Sequence, residues 1–261
     1  MRYKHVFAIC AYKDSPYLEQ CIRSLKAQTV PSHIIICTST PSSYIDRLAW
    51  KYGLQVYVRQ GESNIKDDWN FAYEMADGEL VTIAHQDDMY HKEYAERLLA
   101  ACRAYPDMTV FTTDYVIVKN GRLITGDAML WVKRILRLPL RVPALNHRAW
   151  VKKMALVFGN PICCPATTYQ KKLLGTPLVR SEYRFALDWD NLVRLAEEPG
   201  RFICDERPLL YYRVHEDATT KACIRDNRRF EEEREMFCRF WPEPVADIIM
   251  GFYKKAYGEY E

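Results

Sequence analysis

The run Leu80–Ala84, Leu-Val-Thr-Ile-Ala, breaks off in His85-Gln86-Asp87-Asp88. Its β-branched residues and the Asp77-Gly78 turn signal ahead of it predict a buried strand. Two adjacent carboxylates at the end of such a strand are costly unless something neutralises them. Mg²⁺ or Mn²⁺ would do so, because oxygen ligands suit hard divalent ions. The carboxyl end of a strand is also where an open α/β sheet places its ligand. The alternative is a helix cap. Lys92–Tyr105 carries Tyr94, Leu98, Leu99 and Cys102 on one helical face, and acidic residues ahead of a helix satisfy its free N–H groups. On this stretch alone both readings stand.

The same alternation fills the first part of the chain. His5–Ala11 reads as a strand, and Ser15 ahead of Pro16 reads as the N-cap of a helix over Tyr17–Gln28. Leu18, Cys21, Ile22 and Leu25 fall at i, i+3, i+4 and i+7 of that helix. His33–Thr38 is a strand, Ser42–Tyr52 a helix stopped by Gly53, Gln55–Arg59 a strand and Asp67–Met75 a helix. Such alternation predicts an α/β fold with a parallel sheet and right-handed crossovers. Its crevice gathers Ala11-Tyr12, Thr38-Ser39 and His85–Asp88 on one rim. Neither G-x-G-x-x-G nor a P-loop follows the first strand, which argues against a dinucleotide enzyme or a P-loop NTPase.

Composition narrows the class. The 261 residues suit one large α/β domain or two small ones. A net charge of +3 is too small to point to nucleic acid as a partner. No apolar run approaches the roughly 18 residues of a membrane span, and the N-terminal run is too short for a signal peptide. The nine cysteines are odd in number and scattered, several within apolar runs. That pattern fits buried thiols in a reducing cytoplasm better than a disulfide framework. Cys163-Cys164 is a vicinal pair, not a zinc or redox motif.

Farther along, Met108–Val118 reads as a strand with a hairpin turn at Asn120-Gly121 before Arg122-Leu123-Ile124. Trp131–Arg141 mixes bulky apolar and basic residues. It reads either as a basic amphipathic surface for anionic lipid or as a core-facing helix with a solvated basic side. Asp188-Trp189-Asp190 opens a helix, where Asp188 is a cap or a functional carboxylate. Pro199-Gly200 ends it, Phe202-Ile203-Cys204 is a short strand, and Leu209–His215 alternates into Arg-x-His. The tail from Asp226 is a charged helix followed by aromatic residues.

Several of these segments together resemble the family 2 glycosyltransferases of the GT-A fold. Ala8-Ile9-Cys10-Ala11-Tyr12-Lys13, then Tyr17-Leu18, Cys21-Ile22, Ser24-Leu25 and Gln28-Thr29, look like the family's first strand and helix. Asn70, Ala72 and Ala76-Asp77-Gly78-Glu79-Leu80 are similar to the segment before its metal motif, and His85-Gln86-Asp87-Asp88 stands in the place of Asp-x-Asp. The resemblance covers about Tyr3–Val118 and about Arg184–Thr220. It implies a GT-A domain over 1–220, with a nucleotide-sugar-binding half over 1–118 and an acceptor-side half over 119–220. A helical C-terminal extension over 221–261 follows.

The implied activity is transfer of a sugar from a nucleotide-diphosphate sugar to an acceptor hydroxyl, with inversion, using Mn²⁺ or Mg²⁺. The implied setting is bacterial surface-polysaccharide assembly on the cytoplasmic face of the membrane, with a glycan or lipid-linked acceptor. The rival is a non-catalytic module of the same fold at a membrane or glycan-assembly complex. By resemblance Asp87 is the metal ligand, Asp88 supports it or binds sugar or ribose hydroxyls, and His215 joins the metal set. Ala11, Tyr12, Thr38, Asp68, Gln86, Asp88 and Arg213 are implied at the donor. Asp188 matches the catalytic base, with Leu187 where the family usually has a second acid. Thr38-Ser39 replaces the usual acidic pair that reads the base, and His85 replaces the first aspartate of the motif, either as a ligand or as a polar residue at the strand end.

Overall fold

The computed structural model describes residues 2–215 and 227–257. In chain order the elements are β1 (Tyr3–Ala11), α1 (Leu18–Lys26), β2 (His33–Thr38), α2 (Ser43–Tyr52), β3 (Gln55–Val58), α3 (Ile65–Met75), β4 (Gly78–His85), β5 (Met89–Tyr90) and α4 (Tyr94–Ala104). There follow β6 (Met108–Lys119), β7 (Arg122–Ile124), α5 (Ala128–Leu136), α6 (Ala149–Met154), β8 (Thr167–Gln170), α7 (Lys171–Leu174), α8 (Leu187–Glu197), β9 (Arg201–Val214), α9 (Arg228–Cys238) and α10 (Glu243–Tyr257). The strands form one sheet in the order β3-β2-β1-β4-β8-β6-β9-β5, with β7 on β6. β3, β2, β1 and β4 are parallel, as the alternation predicts. β8 is antiparallel to β4 and β6, and β9 is parallel to β6. The expected boundary between residues 220 and 221 lies outside the described residues, as does the start of the tail helix at Asp226.

Strand alternation divides the core into two layers. Val6 and Ala8 of β1 face α3, α8, α9 and α10, while Phe7 and Ile9 face α1, α2 and α4. In α1 the buried residues are Leu18, Cys21, Ile22 and Leu25, the set the helical period selects. Ser42 caps α2 by accepting from Ile45 N, and Gly53 ends it in the left-handed region at φ 62°. Asn64 caps α3, so that helix starts at Ile65. Gly78 is no turn residue but the first of β4, where an added Cβ would come 2.7 Å from Val6 Cγ2.

Three expectations change. Ser15 does not cap α1, which starts at Leu18 without a side-chain cap bond. Phe202–Cys204 and Leu209–Val214 are one strand, β9, whose register against β6 shifts opposite Thr113–Tyr115. The polar stretch Asp205-Glu206-Arg207 between the two segments is absorbed as an irregularity within the ladder. β8 was not expected: four residues, all buried, are too short for a period to show.

Trp131–Arg141 folds with a polarity opposite to both expectations. Arg137 is fully buried, donates to Thr113 O at 2.9 Å and pairs with Asp114. Arg134 Nε reaches the other Asp114 oxygen at 2.7 Å, and Lys133 Nζ donates to the Tyr115 hydroxyl at 3.1 Å. Trp131, Val132, Ile135 and Leu138 are the residues turned to solvent. The cause is Asp114, a carboxylate buried in the middle of β6 that requires cations beside it. No helix among the described residues is long and apolar enough to cross a membrane. The described cysteines are free thiols, as expected.

Candidate active site

The ends of β1 and β4 are joined by one side chain. Gln86 Oε1 accepts from Tyr12 N at 3.0 Å, and Gln86 Nε2 donates to Tyr12 O at 3.0 Å. This amide extends the ladder past the last backbone pair and sets the turn that presents the acidic pair. That turn caps no helix: β5 intervenes, and α4 begins at Tyr94 without a side-chain cap bond. The capping alternative for Asp87-Asp88 therefore falls.

The two aspartates have different surroundings. Asp87 Oδ1 accepts from Ser15 Oγ at 2.8 Å, and Asp87 Oδ2 stands 3.3 Å from His215 Nε2. A carboxylate from the end of β4 and an imidazole just past β9 thus converge at the cleft. Among the described residues no group of three or more His, Cys, Asp or Glu is gathered around a metal position. Two protein donors still fit an ion that fills its remaining positions with phosphate oxygens and water. Asp88 is 2% exposed and accepts from Arg213 N at 2.8 Å through Oδ1. Burial pushes its carboxyl well above the ordinary range.

Arg213 braces this turn from β9. Its Nε donates to Asp87 O at 2.9 Å, its Nη2 donates to Gln20 Oε1 at 2.7 Å, and its guanidinium lies 4.3 Å from the centre of the Tyr17 ring. His85 packs its ring against Trp69, with centroids 5.3 Å apart. Desolvation lowers its pKa to about 4, so it is neutral at pH 7, and its Nε2 has no hydrogen-bond partner among the described residues. Asp68 lies where β3 and α3 meet the rim, accepting from Arg59 Nε at 2.7 Å, Ser39 Oγ at 3.0 Å and Ser63 Oγ at 2.9 Å. Ser39 thus stands beside a carboxylate delivered from α3. Thr38 is 3% exposed and turns its hydroxyl to Thr40 N at 3.0 Å, behind the cleft wall.

Asp188 lies in the first turn of α8, across the cleft. Its Oδ1 accepts from Trp189 N at 2.7 Å and its Oδ2 from Asn160 Nδ2 at 2.9 Å. Desolvation raises its pKa to about 6, against the opposing pull of the Trp189 N–H and the Lys133 charge. Asp190 has a separate partner, the guanidinium of Arg239 just past α9. A single cavity of about 1310 Å³ is lined by Tyr12, Asp68, Asp87, Asp188, Arg213 and His215 among others. Ser15, Asn160 and Trp69 were not read as site residues from the sequence. Only Ser15, through its neighbour Pro16, carried any local signal.

The profile of glycosyl transferase family 2 matches residues 6–158. The chain belongs to glycosyl transferase family 2. It is a glycosyltransferase of mixed α/β architecture, and solved structures share its fold at low identity. S. aureus TarS 1-349 superposes with a TM-score of 0.63 at 18% identity, covering 95% of this chain and 69% of that one. The mannosyltransferase PcManGT from Pyrobaculum calidifontis, in complex with GDP-Man and Mn²⁺, gives 0.66 at 13% identity, covering 96% and 70%. Glucosyl-3-phosphoglycerate synthase from Mycobacterium tuberculosis, with Mn²⁺ and UDP-glucose, gives 0.62 at 10% identity, covering 89% and 77%. No curated protein sequence matches this family 2 chain.

Proposed function

We propose that this glycosyltransferase moves a sugar from a nucleotide-diphosphate donor to an acceptor hydroxyl in one inverting displacement. The observation that carries the reading is the pairing, across one cavity, of Asp188 with the Asp87–His215 couple. Asp188 is a carboxylate whose raised pKa suits it to take the acceptor's proton near neutral pH. Asn160 and the Trp189 N–H fix its two oxygens. Direct attack assisted by one base leaves the anomeric centre inverted. Asp87 and His215 would hold Mn²⁺ or Mg²⁺, which supplies positive charge to the departing diphosphate. Arg213 and Ser15 keep Asp87 in place. The family match, together with a carboxylate base and the Asp87–His215 couple on one cavity, favours this reading over the non-catalytic alternative.

A thermal-shift panel of UDP and GDP, each with and without Mn²⁺, tests donor binding; UDP-GlcNAc, UDP-glucose and GDP-Man then serve as trial donors. A nucleotide at 100 times its Kd adds about 2.7 kcal/mol to stability. Asp87→Ala should fold normally and lose the Mn²⁺-dependent part of that gain. Unchanged Mn²⁺-dependent binding in the folded variant would remove Asp87 from the metal site.

We further propose a glycan or lipid-linked acceptor, in surface-polysaccharide assembly at the cytoplasmic face of the membrane. This rests on the sequence resemblance. The membrane contact is assigned to Trp131, Val132, Ile135 and Leu138 of α5 and the following turn, because the neighbouring cations are tied inward. Tryptophan favours the bilayer interface, and apolar insertion is not screened by salt. Flotation with phosphatidylcholine–phosphatidylglycerol vesicles should therefore retain the protein equally at low and high salt, and Trp131→Ser should weaken retention. Retention that disappears at high salt, or none at all, contradicts this assignment.

A further inference from the structure

The turn that carries Asp188 is held by the C-terminal extension. α8 has Ala186 at its N-cap and no cap bond from its own segment. The N–H groups of the three residues that lead into it, Arg184 to the N-cap Ala186, are taken by one carboxylate, that of Glu232 in α9. Glu232 Oε2 accepts from Phe185 N at 2.7 Å and from Ala186 N at 2.8 Å, and Arg184 N lies 3.0 Å from Oε1 and 3.1 Å from Oε2. Three consecutive N–H groups at the positive end of a helix thus converge on one anion.

Two more contacts from α9 and the residue that follows it land on the same turn. Phe237 packs edge-on against Trp189, with centroids 5.0 Å apart, and Arg239, just past α9, pairs with Asp190. Asp188 therefore sits between the backbone that Glu232 anchors, at Arg184–Ala186, and the residues held by Phe237 and Arg239, at Trp189 and Asp190. Its own hydrogen bonds, to Trp189 N and Asn160, fix the carboxyl only relative to that turn.

We propose that Glu232 is a positioning residue for Asp188, an anchor from the C-terminal extension for the backbone that leads into α8. Without it the Arg184–Ala186 backbone loses its anchor and the carboxyl of Asp188 drifts from the attacking hydroxyl. A misplacement near 1 Å can cost about 10²-fold in rate while leaving distant binding contacts intact. The inference rests on Asp188 being the base, and a double-variant cycle separates the two claims.

Transfer is measured on the full chain with whichever of UDP-GlcNAc, UDP-glucose and GDP-Man serves as donor. Glu232→Ala should lower kcat by about 10–100-fold with donor KM unchanged. Glu232→Gln keeps an uncharged acceptor for part of the cluster and should stay within about tenfold of wild type. In the Asp188→Asn background Glu232→Ala should cost nothing further, because it acts only through Asp188. Amide hydrogen exchange at Phe185 and Ala186 should speed up in Glu232→Ala, and thermal unfolding should remain cooperative. Wild-type kcat in Glu232→Ala, an equal loss in the Asp188→Asn background, or a loss carried by donor KM would each overturn the proposal. A wild-type rate in Asp188→Asn alone would instead overturn the assignment of the base.

Discussion

Asp188→Asn should transfer sugar about 10²–10⁴-fold more slowly than the wild type, roughly 3–5 kcal/mol of barrier. The substitution keeps the size of the side chain and removes its basicity. UDP and GDP binding should barely change, since the Asp87–His215 pair proposed to hold the metal lies on the other wall of the cavity. The pH dependence follows from the raised pKa of about 6. Above it the carboxyl is ionised and able to take a proton. Below it the carboxyl is protonated, so the wild-type rate should fall with an acid limb near pH 6. In Asp188→Asn that limb should vanish. Asp190→Asn is the control: it loses a partly exposed pair with Arg239, worth about 1 kcal/mol or less, and should keep most of its rate. Near wild-type transfer by Asp188→Asn, or a matching loss of nucleotide affinity, would make Asp188 a structural or binding residue.

Asp114→Ala should destabilise the fold by about 3–5 kcal/mol in urea unfolding. Arg137 is 0% exposed, and its charge is balanced by Asp114 alone among the carboxylates that the hydrogen bonds show around it. Removing that carboxylate leaves a buried guanidinium with Thr113 O as its remaining partner. Arg134→Ala should cost less, because Arg134 is nearer the surface and Arg137 still neutralises Asp114. Arg137→Met, which removes the buried charge along with its bonds, should cost less than Asp114→Ala. If Asp114→Ala loses under about 1 kcal/mol, the polarity of α5 has another cause.

The parallel half of the fold could be read from the sequence because each element there obeys its own period. Leu18, Cys21, Ile22 and Leu25 bury one helical stripe, and Val6–Ile9 divides evenly between two faces. The acidic turn was found for the same reason: charge at the end of a buried strand has no cheap explanation. What escaped depends on partners far away in the chain. Ser15 looked like a cap until Asp87, 72 residues on, took its hydroxyl. Arg134 and Arg137 looked like a solvated basic face because Asp114 lies across a hairpin from them. Asn160 lies in a connecting loop and takes its meaning only from Asp188. Asp87 and Asp88 are adjacent in sequence and chemically unlike in the fold, since one faces the cleft and the other is sealed under Arg213 N.

The place of β9 bears on how the protein is made. It is the last of the described strands, yet it lies between β6 and β5 in the sheet. Among the described residues β5, directly after the acidic turn, pairs with β9 alone. During synthesis from the N-terminus, the four parallel strands can therefore dock long before Met89–Tyr90 has a ladder partner. Arg213, which fastens the turn, and His215, which faces Asp87, arrive with that same strand. Until residues past 200 have left the ribosome, the nascent chain holds Asp87 only through N-terminal partners such as Ser15. The turn that carries Asp87 is thus fastened only after the parallel strands on which it sits have already docked.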